Sequence, residues 1–408
     1  MLSADNIQGP PAALLSVVST IETPNFAENQ SQSLTIAGQS VLEWQLAALQ
    51  KSGITTCFVE VDNVSGALLK MSDAGERFGL TIHFVRTLED LQKSSDLKSR
   101  LVILAEGQYF SEDILHRLIG AGTPCVATCD IGNESADFER IDLTRCWAGL
   151  TLLETGKLGS IQDIPEGWSI ASTLLRFAIQ IGTPFQPLPQ SAIQNAEIAK
   201  ISSAADAQGI GAKKMQARVD VVKGWIERNI FGAIAERLAP VAWGNASFSK
   251  YAHFPAAVAV ALSLFLTAVN QAVFALLFIF MGLMLNQIQT LIDIKSHGGR
   301  RPIHGTVFWV VSIISALYVA FSEATVGSNA VEFTTIMLGL AALALPIPAK
   351  RWTANFLCSP ALLVLGMAMS AYFSEYAFGL KIIVFAQLAL LLTEQYLARR
   401  VVAAQKQP

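Results

Sequence analysis

The stretch Ala272-Val-Phe-Ala-Leu-Leu-Phe-Ile-Phe-Met-Gly-Leu-Met-Leu-Asn-Gln-Ile-Gln-Thr-Leu-Ile292 holds no charged residue from one end to the other. At about 1.5 Å per helical residue it can cross the ~30 Å of a bilayer's hydrocarbon. Apolar segments also run over Phe254–Val269, Thr306–Ser322, Val331–Pro346, Phe356–Phe373 and Tyr376–Leu397. Their connections alternate in charge. Lys250 precedes the first segment; Lys295, Arg300 and Arg301 follow the second; Lys350 and Arg351 follow the fourth; Arg399, Arg400 and Lys406 follow the last. Asn270-Gln271, Glu323–Ala330 and Ser374-Glu375 hold no Lys or Arg. The excess of cations in cytoplasmic connections predicts an all-α domain of six membrane helices over 253–408. It also predicts a multi-pass protein of the inner, cytoplasmic membrane with both termini in the cytoplasm. Lys381, just inside the outer end of the last span, is expected to snorkel outward.

Upstream, the chain changes character. The whole is 52% apolar and 15% charged with a net charge of -3, but most of the charge lies before Lys250 and most of the apolar excess after it. No basic leader with a short apolar core opens the chain, so no secretory signal is expected. The five cysteines, Cys57, Cys125, Cys129, Cys146 and Cys358, sit in apolar runs. They lack zinc-type spacing and read as buried thiols in a reducing compartment.

Over 1–215, short β-rich runs alternate with helical patterns. Ala12–Ser19, Thr56–Val61, Leu80–Val85, Leu101–Ala105, Val126–Cys129 and Cys146–Leu153 read as strands. Val41–Lys51, Val64–Phe78, Leu88–Lys93, Glu112–Ile119 and Ile170–Ile181 place apolar residues at helical spacing. Such alternation predicts an α/β cytoplasmic domain of Rossmann-like character with a mostly parallel sheet. Thr183–Gly211 reads as an extended connection.

Over 216–252, Val221, Val222, Trp225, Ile226, Ile230, Phe231, Ile234 and Leu238 fall at helical spacing, with Lys223, Glu227, Arg228, Glu236 and Arg237 between them. This predicts an amphipathic helix and linker lying in the headgroup layer, anchored by Trp225 and Trp243.

Leu34-Thr-Ile-Ala-Gly-Gln-Ser-Val-Leu-Glu-Trp-Gln-Leu, with Ser52-Gly53-Ile54 after it, resembles the segment that follows the first loop of sugar-phosphate nucleotidyltransferases. Glu106, in Val102-Ile-Leu-Ala-Glu106-Gly107-Gln-Tyr-Phe, stands where that family places an aspartate for Mg²⁺ and is a candidate metal ligand. The family's loop after the first strand is rich in Gly and Arg and holds the triphosphate. Here Ser19–Ser31 has no glycine and no cation but carries Glu22 and Glu28. The nucleotidyl-transfer site reads as lost.

A nucleotidyltransferase-like domain, an interfacial helix and six spans, in that order, resemble the fused members of the CDP-alcohol phosphotransferase family. Val222-Lys-Gly-Trp-Ile-Glu-Arg228 through Arg237-Leu-Ala is similar to their juxtamembrane stretch. The family's signature, D-x-x-D-G-x-x-A-R followed by G-x-x-x-D-x-x-x-D, implies four aspartates around Mg²⁺ or Mn²⁺. In this chain Asp293 can take the second position and is the candidate catalytic and metal residue. Thr290, Trp309 and Ile313 stand where the other aspartates belong. His297, Arg300, Arg301 and His304 are candidates for gripping a phosphate headgroup.

These readings favour a degenerate, non-catalytic member that binds lipid headgroups or partners a lipid-synthesis enzyme. One alternative is an active transferase moving a phospho-alcohol group from a CDP-alcohol with non-standard residues and Mg²⁺ or Mn²⁺. Another is a six-span transporter or scaffold. The resemblance also implies a homodimer formed through the membrane helices. Membrane lipid is the expected partner, and nucleic acid is not.

Overall fold

Ala12–Ser16, Thr56–Glu60 and Arg100–Leu104 are buried along their whole length. Continuous burial is what a central parallel strand covered on both faces requires, so these segments are apolar along most of their length rather than alternating. The computed structural model describes residues 11–16, 34–61, 75–94, 96–132, 137–161, 169–245, 253–294, 303–323, 329–347, 352–373 and 375–405. They form two compact units, one ending at Lys213 and the other beginning at Lys214.

The first unit opens with β1 (Ala12–Ser16), the hairpin β2 (Thr35–Ile36) and β3 (Gln39–Ser40), then α1 (Val41–Lys51), β4 (Thr56–Glu60) and β5 (Thr81–Val85). Next come α2 (Leu88–Lys93), β6 (Arg100–Leu104), β7 (Gln108–Phe110), α3 (Glu112–Gly120), β8 (Cys125–Asp130) and β9 (Arg145–Glu154). It continues through α4 (Ile170–Gln180), β10 (Phe185–Pro187), α5 (Gln190–Gln194), β11 (Ile198–Lys200) and into α6 (Ala204–Asp220). One sheet, in the order β10-β8-β9-β6-β1-β4-β5, is parallel except for β9. Leu46 and Leu49 of α1 and Ile114 and Leu115 of α3 pack on one face. Leu88 and Leu91 of α2 and Leu174 and Leu175 of α4 pack on the other. The unit is therefore a three-layer α/β domain.

Local chemistry sets the helix starts. Ser40 and Glu43 form a capping box on α1, and Thr87 and Asp90 form one on α2. The helix expected over Val64–Phe78 is described only at 75–78, which is helical. Thr183–Gly211 departs from the expected extended connection. It supplies β10 to the sheet edge beside β8 and pairs β11 with β7. Proline and polar residues hid these elements because edge strands tolerate both.

The second unit contains a π-helical turn at Glu227–Phe231, α7 (Gly232–Trp243) and α8 (His253–Ala268). It goes on with α9 (Ala272–Ile292), α10 (Ile303–Ser322), α11 (Ala330–Leu343), α12 (Trp352–Leu357), α13 (Pro360–Tyr372) and α14 (Tyr376–Gln405). Every apolar segment marked in the sequence contains helix. Two of these helices, over Ala272–Ile292 and Tyr376–Leu397, are long and apolar enough to cross a membrane; the remaining apolar helices are shorter. Phe356–Phe373, expected as one segment, breaks between α12 and α13. Pro360 lacks an N–H, and the Ser359 hydroxyl caps α13 by accepting from Leu362 N–H at 3.2 Å. Lys381 places its ammonium 5.5 Å from the centre of the Phe333 ring.

The juxtamembrane stretch is not one uniform amphipathic helix. Gly224, at φ +101°, lies in the break between α6 and the π-helical turn, and that turn shifts the register that follows. Glu227, expected on the polar face, is consequently buried at 5% exposure, while Val221 is 69% exposed. Arg218, Lys223 and Glu227 of this stretch meet helix ends. Arg218 Nη1 donates to the carbonyls of Thr290 (3.1 Å) and Asp293 (2.7 Å) at the C-terminus of α9. Trp243 Nε1 donates to Ile292 O there, at 3.0 Å. Lys223 Nζ donates to Leu345 O just past α11. Glu227 accepts at the N-terminus of α13, from Ser359 Oγ at 2.7 Å and Ala361 N–H at 2.9 Å. Cations thus meet C-termini and the anion meets an N-terminus, as the helix dipole favours.

Candidate functional site

From β1 the chain runs to β4 and β5 on one side, then returns to place β6 on the other side of β1. That reversal makes the carboxyl ends of β1 and β6 a topological switch point, where open α/β sheets hold their ligands. A cleft of about 140 Å³ opens there. Ser16 from the end of β1, Glu106 after β6, Gln108 of β7, Gly149 of β9, and Ser169 and Ser172 around the start of α4 line it. Glu139, Lys200, Phe138 and Trp147 also line it.

The local sequence explains each placement. Gly149 sits at φ +87°, a left-handed conformation that glycine adopts freely. A Cβ there would lie 2.5 Å from Gln108 Cγ, so the Gln108 side chain runs across the bare face of Gly149. Gln108 pairs with Lys200 across β7 and β11, which brings the lysine to the same wall. The Gln108 carbonyl accepts from Gln45 Nε2 at 2.7 Å. Gln108 is 1% exposed, and its amide nitrogen has no hydrogen-bond partner among the described residues.

The start of α4 is filled from within the protein. Ser169 Oγ accepts from Ser172 N–H at 3.1 Å. Glu60, beside Ser16 in the sheet, accepts from Ile170 N–H at 2.6 Å. A helix N-terminus ordinarily attracts phosphate; here a buried carboxylate occupies that position. Ser172 Oγ in turn donates to Glu139 at 3.2 Å.

Of the residues marked in the sequence, Glu106 lines this cleft. Among the described residues, no group of three or more His, Cys, Asp or Glu is placed to hold a metal ion. Asp293 terminates α9, its carbonyl held by Arg218. His297, Arg300 and Arg301 lie outside the described residues, as does the Ser19–Ser31 loop. The backbone of His304 lies in the first turn of α10; its side chain is outside the described residues. Sequence reading passed over Gln108, Glu139, Gly149 and Lys200. Gly149, a lone glycine inside a strand pattern, was the available signal, since it marks close approach.

No family model and no curated protein matches the sequence. The chain is similar to a solved structure of a Bacillus anthracis protein described as a glucose-1-phosphate thymidylyltransferase, in complex with sucrose. The two are 12% identical with a TM-score of 0.34, over 46% of this chain and 93% of that one. It is also similar to a UDP-glucose pyrophosphorylase complexed with UDP-glucose, at 9% identity and a TM-score of 0.31, over 43% of this chain and 90% of that one.

Proposed function

We propose that this chain is a multi-pass membrane protein whose nucleotidyltransferase-like domain binds a ligand without transferring a nucleotide. In order of parts it resembles the fused CDP-alcohol phosphotransferases, and we read it as a non-catalytic relative of them. The observation that carries this reading is the filled helix start in the cleft: Glu60 accepts from Ile170 N–H at a helix N-terminus that would otherwise attract an anion. Glu106 and Glu139 add negative charge, and Lys200 is the one cation among the described lining residues.

The membrane part of the reading rests on side chains left facing outward from the helical unit. Phe385 is 74% exposed, and Phe254, Phe321 and Phe378 are also exposed. Such a surface is stable against hydrocarbon and aggregates in water. The alternating charges of the connections then orient six spans with both termini in the cytoplasm. The basic connection with His297, Arg300, Arg301 and His304 is the proposed headgroup contact, and dimerisation through the spans follows the same resemblance.

Turnover tests the reading. Purified protein with Mg²⁺ or Mn²⁺ should neither release CMP from CDP-alcohols nor form a CDP-alcohol from CTP. Metal-dependent turnover abolished by Asp293→Asn would overturn it. Reporters fused after Pro408 and within 324–329 should fall on opposite sides of the membrane.

A further inference from the structure

The switch-point cleft has chemistry more specific than a general polar pocket, and its hydrogen-bonding groups select a ligand class. At about 140 Å³ it is well below the ~300 Å³ at which sites for drug-sized ligands begin. Its walls offer acceptors in Glu106 and Glu139, hydroxyls in Ser169 and Ser172, and apolar edges in Phe138 and Trp147. On the Gly149 wall lies the Gln108 carboxamide, in a residue 1% exposed, with its nitrogen unpartnered among the described residues. A buried amide donor without a partner is costly and rare in folded proteins, so its retention in a cleft wall points to a partner that arrives with a ligand.

Each ligand group can be matched in turn. Carboxylates need donors, and an amide nitrogen needs an acceptor. Hydroxyl groups are both, so a molecule bearing several satisfies the whole wall with one kind of group. A phosphate ester cannot. Its oxygens would face Glu106 and Glu139, and the helix start that would attract them is held by Glu60 on Ile170 N–H at 2.6 Å. Among the described residues of the wall Lys200 is the one cation, and it does not reverse that balance.

We infer that the cleft binds a small unphosphorylated polyol, gripped by Gln108, Glu106 and Glu139, and discriminates against its phosphate ester. This rests on the reading of the α/β domain as a binding module and names the ligand class of that module.

The test is calorimetric titration of the full-length protein in detergent micelles, with erythritol and glucose against glycerol 3-phosphate and glucose 1-phosphate as probes. The polyols should bind at least tenfold more tightly than the esters. Gln108→Leu should weaken the polyols at least tenfold without moving the thermal midpoint. Should that variant unfold, Glu139→Gln, on a half-buried side chain, serves instead and should shrink the discrimination against the esters. Tighter binding of either ester, lost in Gln108→Leu, would overturn the ligand class and leave the cleft standing as a binding site. An absence of binding by all four probes would overturn the inference and the reading of the cleft together.

Discussion

Glu227 and Ser359, far apart in the chain, meet in a buried hydrogen bond of 2.7 Å at the N-terminus of α13. The other carboxylate oxygen accepts from Ala361 N–H at 2.9 Å, so one side chain serves two donors of the same helix start. Replacing it by alanine leaves both donors buried without an acceptor, at ~1–3 kcal/mol each. Glu227→Ala should therefore cost about 2–4 kcal/mol in thermal unfolding of the micelle-bound protein, and Glu227→Gln much less. Equal losses for the two variants would show that the carboxylate's hydrogen bonds are not the cause.

The same group makes stability depend on pH. Burial pushes the Glu227 carboxyl above its ordinary 4.5, and the bonds from Ser359 and Ala361 only partly offset this. A folded-state pKa above the unfolded one means the folded protein binds the proton more tightly. Its contribution is complete below about pH 4.5 and is lost as pH rises through the folded value. The thermal midpoint of the wild type should therefore fall relative to Glu227→Gln as pH increases from 4 to 8. A relative rise would contradict the burial.

Gly224 lies against this carboxylate. It sits at φ +101°, and a Cβ there would lie 2.1 Å from Glu227 Oε2 and 3.2 Å from Ser359 Cα. Gly224→Ala should destabilise by about 1–3 kcal/mol through backbone strain, before any cost of that contact. In the Glu227→Ala background the loss caused by Gly224→Ala should persist, because removing the carboxylate leaves the φ unchanged. Disappearance of the loss in that background would assign the cost to the contact instead.

What the sequence revealed and what it hid divide along physical lines. Thr56–Val61 and Leu101–Ala105 were legible because strands covered on both faces are mostly apolar, Glu60 being an exception, and β4 and β6 match them within a residue. Val41–Lys51 and Leu88–Lys93 were legible from their helical spacing, and their bounds are those of α1 and α2. The juxtamembrane reading failed at Glu227, since periodicity assumes an unbroken helix and Gly224 and the π-helical turn interrupt it. Glu106 was visible as a strand-end carboxylate. Gln108 and Lys200 were not, because β7 and β11 come together only through a pairing far apart in sequence.

Thiol chemistry offers a check on the α/β domain. Cys57 and Cys129 are buried, and desolvation raises each to about 12. The thiolate is the reacting form, so both should resist maleimide at neutral pH and react only on unfolding. Rapid labelling of Cys57 in the native protein would contradict the central position of β4.

The strongest test of the juxtamembrane arrangement is to exchange its charges. Lys223 donates to Leu345 O past the C-terminal end of α11, and Glu227 accepts at the N-terminal end of α13. Were both residues on a solvated polar face, as the sequence implies, the double variant Lys223→Glu/Glu227→Lys would keep the net charge and change stability little. At helix ends the exchange sets an anion against a negative dipole end and a cation against a positive one. Each mismatch costs ~0.3–2 kcal/mol depending on burial. The lost hydrogen bonds to charged groups cost a further ~1.5–3 kcal/mol each. The exchange should therefore lower stability by about 3 kcal/mol or more, with faster hydrogen exchange at Ala361 and Leu362. A neutral result would return Lys223 and Glu227 to the headgroup layer.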